Sequence, residues 1–196
     1  MEEILKVVAF CGSARKNGNT AQLLETGLEA LAREGIDTEL VQMAGKTIHG
    51  CRACFGCFTK KNGRCVFDDD IVNECLEKME GADGILLGSP TYFADVSSEM
   101  KALIDRCGMV GRANPDMLKR KLGASVVAAR RAGAMHAFQA MNSFFLISEM
   151  IVVGSSYWNI GIGREKGEVA KDEEGINTLR ILGENMAWLL KKVTTE

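Results

Sequence analysis

The chain has 196 residues, 46% of them apolar and 26% charged, and a net charge of −2. That length suffices for one domain with a full hydrophobic core, and the composition is that of an ordinary soluble globular protein. The near-neutral charge gives no reason to expect nucleic acid or an anionic membrane as partner, and the opening MEEILKVVAFCGS, with two acids and an apolar run broken by Lys6, reads as neither signal peptide nor membrane span.

Strand and helix patterns alternate along the chain. Residues 4–11, ILKVVAFC, form a short apolar run that predicts a strand buried on both faces. A helix is predicted over 20–34, with Gly35 as its C-cap, and a more exposed strand over 36–43. A cysteine-rich loop at 45–67 leads to a helix over 68–81, whose acids Asp68–Asp70 suit a helix start. A buried strand at 83–90 precedes a helix over 97–108 capped by Ser97 or Ser98. Strand 123–130, helix 134–149, strand 150–156 and a long amphipathic helix at 174–193 complete the series. This alternation predicts a single α/β domain, residues 1–196, with a five-stranded parallel sheet covered on both faces. Ligands of such sheets bind beyond the C-terminal strand ends.

The loops at those ends carry the candidate site. GSARKNGNT (12–20) joins strand to helix with small residues, so backbone N–H groups and the helix dipole favour an anion. Ser13, Gly18, Asn19 and Thr20 supply neutral donors or room, and Arg15 a charged one. The loop matches neither the P-loop nor the dinucleotide pattern, and a phosphate monoester such as that of FMN fits better than a pyrophosphate. The plain alternative is a solvated basic turn. After the third predicted strand, Pro90, Thr91, Tyr92 and Phe93 are placed to border a planar heterocycle, or else to pack on the next helix. Arg130 and Arg131 stand where a flavin edge or a nicotinamide cofactor's phosphate would lie, or are simply exposed.

Residues 51–65 read CRACFGCFTKKNGRC and gather four of the seven cysteines. With no export signal the expected compartment is the reducing cytoplasm, where stable disulfides are rare. One Cys-x-x-Cys disulfide would also account for only two of the four. Structural zinc accepts four thiolates, but usually from two separated pairs. Cys51, Cys54 and Cys57 at two-residue gaps, with Cys65 looping back, match a [4Fe–4S] arrangement, with zinc or unligated thiols as the alternatives. Cys11, Cys75 and Cys107 read as small buried hydrophobes. His49 and His136 have no partner motif, and Tyr157 and Trp158 fit either a flavin cover or an interface.

Taken together, GSARKNGNT, GSPTYF, CRACFGC…C followed by DD, and VVGSSYWNIGIG resemble the NADPH-dependent FMN reductase group, and within it the iron–sulfur flavoproteins. The resemblance spans nearly the whole chain, with Ala14 standing where the family often has proline. It implies a flavodoxin-like three-layer sandwich with strand order 2-1-3-4-5. It also implies an oxidoreductase that exchanges electrons between FMN, a [4Fe–4S] cluster, and ferredoxin or NAD(P)H, in a homodimer or homotetramer. Two other classes compete: an NAD(P)H-dependent FMN or quinone reductase without a functional cluster, and a zinc-stabilised flavin-sensing module.

Overall fold

Strands that are apolar on both faces need cover on both sides. The computed structural model, which describes residues 4–193, supplies it with a parallel sheet between two helical layers. In chain order the elements are β1 (Lys6–Cys11), α1 (Asn19–Arg33), β2 (Asp37–Gln42), α2 (Gly56–Lys60), α3 (Val72–Glu80) and β3 (Gly84–Pro90). Then come α4 (Ser98–Ala113), β4 (Leu122–Ala129), α5 (Ala134–Ile147), β5 (Ile151–Val152), β6 (Ile160–Ile162), a 3₁₀ turn (Glu168–Lys171) and α6 (Glu173–Val193). The strands lie in the order β2-β1-β3-β4-β5, all parallel, so the expected flavodoxin-like order holds.

The sheet edge corrects one expectation. The strand predicted over 150–156 is reduced to Ile151–Val152, and β6 takes up the same side of β4 after a break, making the sheet six-stranded. Val153 N–H still donates to the Gly123 carbonyl at 2.9 Å, and then the chain leaves the sheet. Asn159 fills the gap in the ladder. Its side-chain amide donates to the Ser125 carbonyl at 3.0 Å, and its own carbonyl accepts from Val127 N–H at 2.9 Å. Tyr157 and Trp158 ride on the excursion, exposed and in contact with each other.

Period-two alternation sorts the core. On β1, Val8 and Phe10 join the layer formed by α3, α4 and α5, while Val7, Ala9 and Cys11 join that of α1 and α6. Helix ends follow local chemistry. At Gly35 (φ 82°) the N–H reaches Ala32 O, and Ile36 N–H reaches Leu31 O, the two bonds of a Schellman cap. Ser97 is the cap of α4, its hydroxyl accepting from Met100 N–H at 3.2 Å. The helix predicted from residue 68 begins at Val72, whose N–H donates to Asp70 Oδ1 at 3.1 Å.

Helices α1 and α6 cross with backbones almost touching. A Cβ on Gly183 would stand 2.5 Å from the Gly27 carbonyl oxygen and 2.7 Å from Ala30 Cβ. Gly183→Ala should therefore destabilise the fold. Alanine gains about 1 kcal/mol in helix propensity, but overpacking a contact against backbone costs typically about 1–3 kcal/mol. Urea unfolding should give a lower midpoint with an unchanged slope, and a midpoint at or above wild type would contradict the packing described.

Candidate functional site

Because every strand runs the same way, the loops after β1, β2, β3 and β4 all emerge at one edge of the sheet. The first loop turns tightly there. Gly18 N–H donates to Arg15 O at 3.1 Å and Arg15 N–H to Ser13 Oγ at 3.2 Å, which aims the buried Ser13 hydroxyl into the bend. Gly18 is the N-cap of α1 and has no side chain to cap the first turn, so that turn's N–H groups open onto the loop. A Cβ on Gly18 would sit 3.0 Å from Arg15 O and 3.6 Å from Ser13 Oγ, so glycine leaves a small space beside that hydroxyl. Thr20 is buried in the first turn.

Two of the expected donors have structural partners. The Asn19 amide donates to Glu165 O at 2.9 Å and accepts from Gly167 N–H at 2.8 Å, tying α1 to the segment before the 3₁₀ turn. Arg15 donates to Arg164 O at 3.3 Å. Asn17, at φ 50°, exchanges two 2.9 Å hydrogen bonds with the Gln42 amide, joining the loop to the end of β2.

The loop after β3 faces the first one. Ser97 Oγ donates to Gly12 O at 2.6 Å, and Ser97 N–H to Ser89 Oγ at 2.9 Å, so the cap of α4 braces both loops. Thr91 N–H extends the β4 ladder by donating to Ala128 O at 2.9 Å, but its side-chain Oγ1 is buried without a hydrogen-bond partner. Leaving a buried hydroxyl unpaired costs about 1–3 kcal/mol, a penalty that a ligand acceptor or donor would remove. Tyr92 and Asp95 close a two-residue turn through mutual backbone bonds of 2.9 and 3.0 Å. Its tip residues, Phe93 (φ 48°) and Ala94 (φ 64°), are both left-handed, and Phe93 is fully exposed. Glycine usually occupies such positions, and holding other residues there costs on the order of 1–2 kcal/mol each. Gly133, at φ 83°, packs here, since a Cβ on it would meet Ala94 at 3.2 Å and Thr91 at 3.5 Å. Arg130 follows β4, exposed, in an open groove with Ile162, Arg164 and Lys171.

The loop after β2 carries the cysteines. Cys51, Cys54, Cys57 and Cys65 line one recess, walled by Val66, Phe67 and, on α4, Arg106, Met109 and Val110. All seven cysteines of the chain are free thiols. Cys51 and Cys54 are exposed, whereas Cys57 is buried and reaches Met109 O at 3.7 Å. Burial raises the Cys57 pKa, and the nearby Cys65 and Cys51 push it the same way. Among the described residues, the ligand atoms of His49, Asp69 and Asp70 come within 4.8 Å of one another, and no three of the cysteine sulfurs meet that spacing. A tetrahedral zinc with sulfurs at about 2.3 Å would need them roughly 3.8 Å apart. Arg52 stacks over Phe67, 4.2 Å from its ring centre, at the rim.

Two residues that sequence reasoning missed hold this loop. Arg106 is 2% exposed and pairs with the buried Asp70 carboxylate. It also donates to Phe67 O at 2.9 Å and His49 O at 3.4 Å, while His49 N–H donates to Asp70 Oδ2 at 2.8 Å. Burial by itself would lower the Arg106 pKa, but Cys65 and Asp70 more than offset this and raise it. Asn73, also buried, accepts from Cys65 N–H at 2.8 Å and donates to Cys65 O at 3.1 Å. The available signal was position: Arg106 falls on the buried stripe Leu103–Cys107–Val110 of α4, where a charge needs a partner. The structure thus brings Ser13 and Gly18 together in the first loop, with Thr20 in the helical turn that follows, and the four cysteines together toward the far end of α4.

A family model described as NADPH-dependent FMN reductase matches residues 5–165. The chain is 39% identical over 196 residues to an iron–sulfur flavoprotein of Methanocaldococcus jannaschii, covering 96% of this chain and 99% of that one. It is 33% identical over 177 residues to an iron–sulfur flavoprotein of Methanosarcina thermophila, covering 89% and 90%. Among solved structures, RosB with a bound formylriboflavin-phosphate intermediate superposes with a TM-score of 0.77 at 18% identity, over 96% of this chain and 80% of that one. A flavodoxin from the domain Archaea gives 0.62 at 16% identity, over 95% and 99%.

The thiols divide by environment. Burial pushes Cys11 up to about 11 and Cys75 up to about 12, and raises Cys107 well above its ordinary value. All three should stay protonated and shielded at pH 8. In chelator-treated, reduced, folded protein, iodoacetamide should modify Cys51 and Cys54 first and leave Cys11, Cys75 and Cys107 intact until denaturant is added. Mass-spectrometric mapping that finds Cys75 labelled as fast as Cys54 would refute this assignment.

Proposed function

The chain belongs to the NADPH-dependent FMN reductase family, in its iron–sulfur flavoprotein group, and from that premise we propose an electron-transfer flavoprotein that couples FMN to a [4Fe–4S] centre. The observation that carries the reading is the shared recess of Cys51, Cys54, Cys57 and Cys65. Bound FMN supplies two-electron hydride chemistry, and an iron–sulfur cluster supplies single-electron transfer, so together they convert one into the other.

The chain's own residues fit both groups. For FMN, Ser13, Thr20 and the uncapped first turn of α1 oppose the phosphate with hydroxyls, N–H dipoles and the space that Gly18 leaves. Asn19 is committed through its side chain and contributes its backbone N–H, while Arg15 adds charge at the rim. The ring is assigned to Pro90, Thr91, Tyr92 and Phe93, where the unpaired Thr91 hydroxyl awaits a partner, with Arg130 at the polar edge. For the cluster, Cys57 and Cys65 anchor the inner side of the recess and Cys51 and Cys54 close it from outside. Val66, Met109 and Val110 give the recess an apolar inner wall. Ferredoxin or NAD(P)H is the proposed exchange partner. A homodimer or homotetramer is the proposed assembly, using the exposed Leu146, Ile147, Ile151, Val152, Tyr157 and Trp158.

Two measurements test this. Ser13→Ala with Thr20→Ala removes two neutral donors to a dianion, each worth roughly 1.5–3 kcal/mol. FMN affinity of the pair should fall at least about tenfold, one decade being about 1.4 kcal/mol. An unchanged FMN titration would move the phosphate elsewhere. Separately, anaerobically prepared Cys54→Ser should lose bound iron and the broad visible absorption of a cluster while keeping FMN. Cys75→Ser, a buried thiol outside the recess, should alter stability and leave iron content alone. Anaerobic wild-type protein without iron, together with a Cys54→Ser variant of equal electron-transfer rate, would instead describe a flavin reductase with a cysteine-rich loop.

A further inference from the structure

We propose that Arg106 is a positioning residue for the cysteine centre, clamping both ends of the cysteine loop and turning a fixed positive charge toward its sulfurs. The inference rests on reading the four cysteines as ligands of an iron–sulfur centre. Three observations carry it. First, the guanidinium bonds Phe67 O and His49 O, the carbonyls just outside Cys65 and Cys51, so one side chain bridges the two ends of the loop. Second, the Asp70 carboxylate completes the bridge through His49 N–H and Val72 N–H, which locks the loop to the start of α3. Third, Arg106 lines the recess and Asp70 does not, so the ion pair presents its cationic end to the sulfurs.

The chemistry selects arginine. A planar fork with five N–H donors in fixed directions matches a carboxylate and two carbonyls at once and stays charged in a buried site. Lysine would keep the charge and lose the geometry. The charge has a second effect: each electron added to four thiolates around iron increases negative charge. A cation fixed nearby, away from bulk water, favours the reduced state and raises the potential. Arg106 sits on a helix rather than a loop, so its charge does not relax away when the electron arrives.

The test separates the clamp, the charge and the underlying reading. Removing Arg106 alone would strand a buried carboxylate, so the informative variants are Arg106→Gln with Asp70→Asn, and Arg106→Lys. In anaerobically prepared protein, redox titration should find the double variant's cluster harder to reduce, its reduced-to-oxidised ratio at a fixed potential falling about tenfold, or 59 mV for one electron. The bound flavin is the internal reference and should not move. In chelator-treated protein, trypsin should cut at Lys60, Lys61 and Arg64 at least about tenfold faster in both variants than in wild type. A double variant that keeps its flavin but cannot hold iron supports the clamp when Arg106→Lys, which loses the same geometry, also holds less iron, and overturns the clamp when Arg106→Lys loads iron fully. An iron-loaded double variant with wild-type cluster potential, or loop cleavage unchanged in both variants, overturns the inference alone. Anaerobic wild-type protein without iron overturns the iron–sulfur reading and the inference with it.

Discussion

The candidate site depends on a parallel sheet delivering each strand to the same edge. β1, β3 and β4 are buried on both faces and have no freedom to reverse, so the loops that follow them must share one rim. The phosphate-type bend, the strained Phe93–Ala94 turn and Arg130 are neighbours for this reason and not through any local affinity. The strain at that turn is tolerable because the turn is short, backbone-bonded at its base and backed by Gly133.

The cysteine loop has a different kind of support. It contains little regular structure beyond the five residues of α2, and Phe55 and Lys61 at the ends of α2 are both left-handed. Such a segment buries too little apolar surface to order itself, so polar side chains from outside must fix its course. Arg106 and Asp70 hold its ends, and Asn73 holds the backbone of Cys65. A buried ion pair gains little net stability, because desolvation offsets most of the attraction. What it supplies here is a single loop path, since every misplacement of the loop leaves a buried charge or carbonyl without a partner.

Much of this was legible in the sequence, and what was not has definite causes. Residues 4–11, 83–90 and 123–130 announce buried strands by apolar continuity, and the spacing Cys51-x-x-Cys54-x-x-Cys57 announces cysteines that share one recess. The fifth strand misled because MIVVGSS reads as continuous, while the break depends on the Asn159 side chain substituting for a backbone donor. No periodicity records that exchange. Arg106 was overlooked because its partners at His49, Phe67 and Asp70 lie far away in sequence. Only its place on an apolar helical stripe hinted that it was buried. Asn19 looked like a simple anion donor, yet its amide stitches together segments from opposite ends of the chain.

Helix α4 spans both regions. Its cap, Ser97, braces the loops after β1 and β3, and Arg106 faces the cysteines nine residues later, about 14 Å along an axis that rises 1.5 Å per residue. An α-helix also turns about 100° per residue. Inserting or deleting one residue between these two points would leave the span nearly unchanged and swing the guanidinium around to another face of the helix. The cysteine loop can therefore absorb changes in length that this stretch of helix cannot, and α4 acts as a gauge of angle more than of distance.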